Sequence, residues 1–197
     1  MAGKLNGKRV AILATNGVEQ VELERPRQAL DDAGAETQVV SPVDGTIHAW
    51  QHDHWGDEVR VDIPLSRANA NDFDALFIPG GVMSPDRLRM DDRAVQFTRT
   101  FFDEGKPVAA LCHGPWMLVE ADVVDGRDVT SWPSLETDLE NAGANWVDRP
   151  VVADQGLVTS RKPDDIPAFD EAMIQHFAEG KTTAGQREST TPGARGR

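Results

Sequence analysis

The chain contains a single cysteine, Cys112, in the segment PVAALCHGPWML at residues 107–118. An apolar run leads into this cysteine, and His113 and Gly114 follow it directly. This order predicts a nucleophile on a tight turn between a buried strand and a helix, because such a bend pushes one side chain outwards. The bend needs small residues two positions to either side, and Ala110 and Gly114 meet that need. At a helix N-terminus, free N–H groups favour a thiolate and hold an oxyanion, so the predicted chemistry is attack of sulfur on a carbonyl.

A lone cysteine has a second interpretation, as a small buried apolar residue. Taken without its neighbours, Cys112 would be assigned to that class. The flanking Ala-x-Cys-His-Gly pattern favours the nucleophile instead. For His113, adjacent residues at a sharp turn point in different directions, so we expect its imidazole to have difficulty reaching the sulfur.

Two further loops carry residues that could serve this chemistry. Glu19 and Glu22 lie in the early segment NGVEQVEL, and Gly80-Gly81 follow the apolar run ALFIP. Two glycines after a buried strand allow the backbone to approach a ligand closely. Glu22 could be a buried, protonated acid that donates a hydrogen bond to the thiolate, or a charge on the first helical turn that complements the helix dipole.

The elements that would position these loops alternate between strand and helix. Apolar, β-branched runs predict parallel strands, and 3.6-residue periodicity predicts helices between them. Residues 42–63 differ: the turn signal Asp44-Gly45 and the alternating segment EVRVDI predict an antiparallel excursion. The predicted strands are 9–15, 37–41, 74–79, 108–111, 129–131 and the hairpin 146–153/157–160, and the predicted helices are 18–34, 91–105, 113–121, 134–142 and 163–178.

This alternation predicts a flavodoxin-like, doubly wound α/β fold with a mostly parallel sheet and helices on both faces. We expect one domain at residues 1–180 and a disordered tail at 181–197, which lacks apolar residues for a core. In such sheets ligands bind beyond the carboxyl ends of the strands. The loops 16–22, 79–84 and 111–115 each follow a predicted parallel strand and should therefore meet at one edge.

Composition restricts the partners. The chain of 197 residues has a formal charge of −13, which disfavours nucleic acids and anionic membranes because phosphate binding needs clustered lysine and arginine. No apolar stretch approaches the ~20 residues of a membrane span. A single cysteine excludes an intramolecular disulfide and fits a reducing compartment, so we expect a cytoplasmic protein.

At this point the chain resembles the PfpI-type intracellular peptidase family of the ThiJ/PfpI, class I glutamine amidotransferase-like superfamily. The segments that carry the resemblance are NGVEQVELERP, FDALFIPGG, DEGKPVAALCHGPWML, NAGANWVDRPVV and LVTSRKPDDIPAF. It extends from about residue 8 to residue 177. The Cys-His-Gly-Pro turn, the upstream Pro-Gly-Gly and the early acidic loop are specific as a combination, whereas each alone is weak.

The resemblance implies roles for individual residues. Cys112 matches the reactive nucleophile and His113 the histidine that follows it, while Glu22 matches the acid that hydrogen-bonds the thiol. Further matches are Gly80 and Gly81, which with His113 would present backbone N–H groups to an oxyanion, and the candidate pocket residues Glu19, Arg161 and Pro163. Trp116, just beyond the turn, is a possible pocket residue that the resemblance does not supply. In the peptidase branch a carboxylate from an adjoining subunit is thought to complete a Cys-His-Glu set, and this sequence does not identify that residue.

The segment between residues 48 and 57 contains side chains that could suggest a metal site: His48, His52, His54, Asp53 and Asp57. A polar surface loop is the better interpretation, because no distant ligands match. Trp50 and Trp55 of that loop could line the pocket or a subunit contact, and Trp116 and Met117 are expected to pack on a helix face.

A glutaminase would need a late His-x-Glu, whereas the only late histidine, His176, is followed by FAE. The first strand is not followed by a Gly-x-Gly-x-x-Gly dinucleotide fingerprint.

Two functions of different class remain. The first is a cysteine-dependent stress-response hydrolase, with peptidase or amidase, or deglycase or glyoxalase, activity on carbonyl substrates. The second is a non-hydrolytic oxidative-stress protein in which Cys112 is a redox sensor or protective thiol. We expect no cofactor and no metal, a small carbonyl or peptide substrate, and a homodimer or higher homo-oligomer.

Overall fold

The computed structural model describes residues 3–181, and the predicted tail lies outside them except for its first residue. A seven-stranded sheet occupies the centre, in the order β10-β11-β7-β6-β1-β2-β5. All neighbouring strands are parallel except β10, which runs antiparallel to β11. The strands are β1 (Arg9–Leu13), β2 (Glu36–Ser41), β5 (Ile63–Pro64), β6 (Ala75–Ile78), β7 (Val108–Leu111), β10 (Val151–Asp154) and β11 (Leu157–Ser160).

Helices cover both faces of this sheet. One apolar cluster joins the inner faces of α1 (Gln20–Asp32) and α6 (Ile166–Glu179) to one side, through residues such as Leu30 and Phe169. A second cluster on the other side contains Phe101 and Leu118 and joins α3 (Asp92–Asp103), α4 (Pro115–Glu120) and α5 (Glu136–Asn141). The predicted doubly wound, mostly parallel α/β fold is therefore confirmed.

The antiparallel excursion is a separate hairpin of β3 (Thr46–Gln51) and β4 (His54–Arg60). Its turn lies at His52-Asp53, so assigning the hairpin turn to Asp44-Gly45 was wrong. The backbone at His52 has φ +58°, and its amide is the donor in a 3.4 Å contact with Glu19 Oε1. Gly45 does adopt φ +89°, but it connects β2 to β3, two strands that do not pair.

The short elements β5, which adds two residues to one edge of the sheet, and α2 (Met83–Leu88) were not predicted from the sequence. They are two and six residues long, too short for a periodicity to be recognised. The strand predicted at 129–131 is present as β8 (Asp128–Val129), which pairs in parallel with β9 (Asn145–Trp146). Trp146 therefore belongs to β9, and the first strand of the predicted hairpin 146–153/157–160 begins only at β10. Among residues 3–181, no helix is long and apolar enough to cross a membrane.

Candidate active site

The loops that follow β1, β6, β7 and β11 meet at the carboxyl edge of the sheet, as predicted. They enclose a cavity of about 370 Å³ whose wall includes Cys112. Of the predicted residues, Cys112, His113 and Gly81 line this cavity, together with both glutamates of the early loop. The complete lining is Glu19, Glu22, Trp50, His52, Gly81, Val82, Met83, Cys112, His113, Trp132 and Pro163.

Cys112 sits on the bend between β7 and α4 with φ +60°, a left-handed conformation that is uncommon for a residue other than glycine. Its backbone is fixed on both sides, since its N–H donates to the Ser160 carbonyl at 3.0 Å and its carbonyl accepts from the Trp132 N–H at 2.9 Å. The small neighbour is required, because a Cβ at Gly114 would lie 2.6 Å from the Ile78 carbonyl oxygen. The turn predicted from the sequence pattern is thus present.

The imidazole of His113 reaches the sulfur after all. Its Nδ1 lies 3.2 Å from Cys112 Sγ, so the expected difficulty in reaching a sequence neighbour was wrong. The His113 ring lies between two indoles, stacked on Trp132 at 5.9 Å and tilted against Trp116 at 5.2 Å. Burial lowers the pKa of His113 from 6.5 to about 4, so the imidazole is neutral at pH 7.

Glu22 lies on the first turn of α1 and is only 1% exposed. Burial and the nearby charge of Glu19 raise the pKa of Glu22 from 4.5 to about 7, while the Cys112 thiol and the amides of Gly80 and Gly81 oppose that rise. Oε2 of Glu22 nevertheless has no well-aligned hydrogen-bond partner among the described residues. A charge that merely complements the helix dipole would be exposed, so the structure favours the buried acid.

The thiol itself differs from the expectation of a readily ionised sulfur. Burial is the main cause that raises the pKa of Cys112, and the charge of Glu22 raises it further. The backbone amides of Gly81 and His113 act in the opposite direction. An ionised Glu22 therefore opposes formation of the Cys112 thiolate, in addition to the larger effect of burial.

Gly80 and Gly81 bring the β6 loop against the nucleophile. A Cβ at Gly80 would lie 2.6 Å from Cys112 Cβ, so only glycine permits this approach. Gly81 has φ +77°, and its amide is directed to the sulfur. The amides of both glycines also act on the Glu22 carboxyl.

Two predicted pocket residues are not among those that line the cavity. Trp116 turns away from it, with its indole N–H donating to Asp138 Oδ2 at 2.9 Å. Arg161 is held by Asp165, with Nε 2.9 Å from Oδ2, and by Asp148 at 2.6 Å. Pro163, two residues further along, does line the cavity. Asp165 is an i,i+4 neighbour of Arg161, whereas Asp138 and Asp148 are distant in sequence from the side chains that they bind.

The cavity also contains residues that the sequence did not indicate as site residues. Trp132 arrives from the loop after β8, and His52 from the hairpin turn, while Val82 and Met83 begin the short helix α2. Of the two indoles that the sequence allowed in the pocket, Trp50 lines it. Trp55 does not, since its side chain is 51% exposed and packs edge-on against Trp50 with ring centres 5.3 Å apart. Within residues 3–181, no group of histidine, cysteine, aspartate or glutamate side chains has the arrangement of a metal site.

Comparison with known proteins identifies many similar chains. The profile of the DJ-1/PfpI family matches residues 8–176. General stress protein 18 of Bacillus subtilis (strain 168) is 48% identical over 170 residues, which cover 85% of this chain and 96% of that protein. Deglycase PH1704 of Pyrococcus horikoshii is 43% identical over 167 residues, covering 85% of this chain and 98% of that protein.

A solved crystal structure is also similar to this chain. A two-domain protein of Anabaena variabilis, containing DJ-1/ThiJ/PfpI-like and ferritin-like domains, superposes with a TM-score of 0.81 at 34% identity. The match covers 95% of this chain and 55% of that longer protein.

Proposed function

This chain belongs to the DJ-1/PfpI family, and from that premise we propose that it is a cysteine-dependent hydrolase of small carbonyl compounds with Cys112 as nucleophile. One observation carries the proposal. The single thiol stands on a left-handed strand-to-helix bend, 3.2 Å from the Nδ1 atom of a neutral histidine, in the wall of a cavity. A structural cysteine needs none of these features.

The chemistry begins with transfer of the thiol proton. The proton stays on sulfur in the free site, because His113 is a weak base at a pKa of about 4, and Nδ1 of the imidazole accepts it as the sulfur attacks. The protonated form of Glu22 adds no negative charge beside the sulfur. A Glu22 pKa of about 7 suits proton exchange near neutral pH. The sulfur then bonds to the carbonyl carbon, and the π electrons move to oxygen. We assign the stabilisation of this oxygen to the amides of Gly81 and His113, which act on the sulfur in the free site.

Two substrates would follow different courses from this adduct. With methylglyoxal, the adduct is a hemithioacetal. A proton moves from C1 to C2 to give a thioester, and water releases lactic acid and the thiol. With a peptide or amide, the amine leaves with a proton and water cleaves the resulting thioester. The relative named as a deglycase supports carbonyl adducts as the first class to test.

A second candidate function is a protective or sensing thiol, and Glu22 supports it. A buried carboxyl that remains protonated near neutral pH, with an unpartnered Oε2, could donate a hydrogen bond to an oxygen added to the sulfur. The relative named as a general stress protein is consistent with either function. In this alternative, peroxide oxidises the thiolate to sulfenic acid and is itself reduced to water.

Turnover separates the two functions. Native protein and Cys112→Ala are incubated with methylglyoxal and with a peptide panel, and the mass of each protein is recorded before and after peroxide. We expect the native protein alone to consume a carbonyl substrate over many turnovers. Uptake of one or two oxygens at Cys112 without any turnover would contradict the hydrolase and support the sensor.

Assembly is also a proposal. No described carboxylate hydrogen-bonds the His113 ring, so within residues 3–181 the imidazole lacks the acid of a triad. We propose a homodimer or higher homo-oligomer in which an adjoining subunit could bring such an acid to the site. Light scattering of the native protein measures the oligomer size.

A further inference from the structure

We infer that the cavity around Cys112 selects carbonyl substrates that carry a positive charge next to the reacting carbonyl. The inference rests on the proposed function and deepens it by naming the charge class of the substrate. It follows from the carboxyl groups and aromatic rings that line the cavity, and from the absence of lysine and arginine among its described lining residues.

The wall combines carboxyl groups with aromatic rings. Glu19 and Glu22 lie on the α1 side, and the indoles of Trp50 and Trp132 contribute from the hairpin and the β8 loop. Aromatic rings attract cations through their π electrons. No lysine or arginine is among the described residues of this wall. Arg161, close in sequence to the lining residue Pro163, is held by two aspartates.

Glu22 provides a second, independent observation. Its side chain is 1% exposed, yet Oε2 has no hydrogen-bond partner among the described residues. Buried polar atoms are almost always hydrogen-bonded, because an unpaired one keeps the full cost of losing water. When Glu22 is ionised, an N–H of a group that enters the cavity supplies the missing partner of this oxygen.

Glu19 provides charge near the mouth of the cavity. Its carboxylate acts on Glu22, where it raises the pKa, so its field reaches the interior of the site. The facing histidine does not offset this charge, because burial lowers the pKa of His113 to about 4 and leaves the ring neutral. A cationic substrate would therefore meet uncompensated negative charge.

The same cation would assist the chemistry. In the free site, burial and Glu22 oppose ionisation of Cys112. A positive charge bound close to the sulfur favours the thiolate, because opposite charges within about 4–6 Å stabilise each other. Substrates without that charge would lose both the binding and the activation.

The test uses three methanethiosulfonate reagents that differ in charge. Their transferred groups are trimethylammonium-ethyl, methyl and sulfonatoethyl, and each forms a disulfide with Cys112 and releases methanesulfinate. The rate of Cys112 labelling by each reagent is measured by mass spectrometry at pH 7 in 0.1 M and 0.5 M salt. Each rate is divided by the rate at which the same reagent reacts with 2-mercaptoethanol, which removes differences in intrinsic reactivity. We expect the normalised rate of the cationic reagent to exceed that of the anionic reagent by about tenfold or more, which corresponds to about 1.4 kcal/mol.

Two variants separate the pocket from the charge of the whole molecule. Glu19→Gln keeps an acceptor for the His52 amide and removes the charge, so the ratio should fall about threefold or more. Asp86→Asn removes an exposed charge on nearby α2, outside the cavity wall, and should change the ratio less than about twofold. Equal effects of the two substitutions, a ratio near one, or no reaction with any reagent would overturn the inference.

A turnover series distinguishes this inference from the proposed function. Methylglyoxal is presented as its hemithioacetals with 2-mercaptoethyl-trimethylammonium, 2-mercaptoethanol and mercaptoacetate, which are cationic, neutral and anionic. We expect kcat/KM to fall in that order. Charge-selective labelling without consumption of any hemithioacetal would leave the inference standing and contradict the hydrolase. Equal consumption of all three hemithioacetals would support the hydrolase and contradict selection by charge.

Discussion

The turns after β6 and β7 adopt the same unusual backbone conformation with different residues. Gly81, after β6, has φ +77°, and Cys112, after β7, has φ +60°. Glycine populates this region freely, whereas a residue with a Cβ loses roughly 1–2 kcal/mol there. At Gly81 only backbone is needed, and a Cβ would lie 2.6 Å from the Glu19 nitrogen. At Cys112 the side chain is needed, so the strain is retained at the position that holds the sulfur.

The largest expected effect concerns Glu22, the buried acid on which residues of both turns act. The folded-state pKa of Glu22 is raised to about 7 from a usual 4.5, so the folded protein binds this proton more tightly than the unfolded chain. Below pH 4.5 both states are protonated, and the full stability is present. Between pH 4.5 and pH 7 the stability falls as pH rises, by about 3 kcal/mol in total from this group.

Glu22→Gln should remove that pH dependence. We expect the difference in unfolding free energy between variant and native protein to shift by about 3 kcal/mol in favour of the variant from pH 4.5 to pH 8. Urea unfolding at several pH values measures it. Asp170, whose pKa burial also raises to about 7, is present in both proteins and cancels in the difference. A constant difference across this range would show that Glu22 ionises normally.

Gly80→Ala should have the next largest effect. The added Cβ would lie 2.6 Å from Cys112 Cβ and 2.8 Å from the Leu111 carbonyl oxygen, so the β6 loop must move. We expect a loss of about 2 kcal/mol in unfolding free energy and of most turnover. Gly45→Ala is the control, since nothing lies within 4 Å of its Cβ and only the positive φ is strained. Equal losses in the two variants would refute a steric role for Gly80.

Cys112→Gly sharpens the comparison of the two turns directly. Cys112→Ala and Cys112→Gly both lack the sulfur and should both be inactive. The glycine variant, however, relieves the left-handed strain, and we expect it to be about 1 kcal/mol more stable than the alanine variant. Thermal unfolding of the two variants provides the measurement, and a less stable glycine variant would argue against strain at this bend.

The smallest effect concerns the ring stacked on His113. Trp132→Ala removes an indole whose ring centre is 5.9 Å from the imidazole and exposes His113 to water. Because burial lowers its pKa to about 4, we expect that pKa to rise towards 6.5 in the variant, with a stability loss of about 1 kcal/mol. NMR titration of the imidazole provides the readout. Trp55→Ala, at an exposed ring outside the cavity wall, should leave the titration unchanged.

Much of this site could be predicted because its residues lie at the ends of predictable strands. The run before Cys112 was assigned as a strand at residues 108–111, which are the bounds observed. The glycines after β6 and the glutamates of the early loop reach the same edge for the same reason. Cavity residues such as Trp132 and His52 were missed because they come from short or antiparallel elements, where chain direction alone does not place a side chain.

The sequence by itself determined the alternating fold, the bend that holds the sulfur and the edge of the sheet where the loops meet, because each depends on local periodicity, small residues and strand direction. Only the tertiary structure decided the protonation of the site. The neutral His113, the raised pKa of Glu22 and the suppressed ionisation of Cys112 all arise from burial and from neighbours distant in sequence. Desolvation depends on what surrounds a group in three dimensions, and no spacing of residues along the chain specifies it.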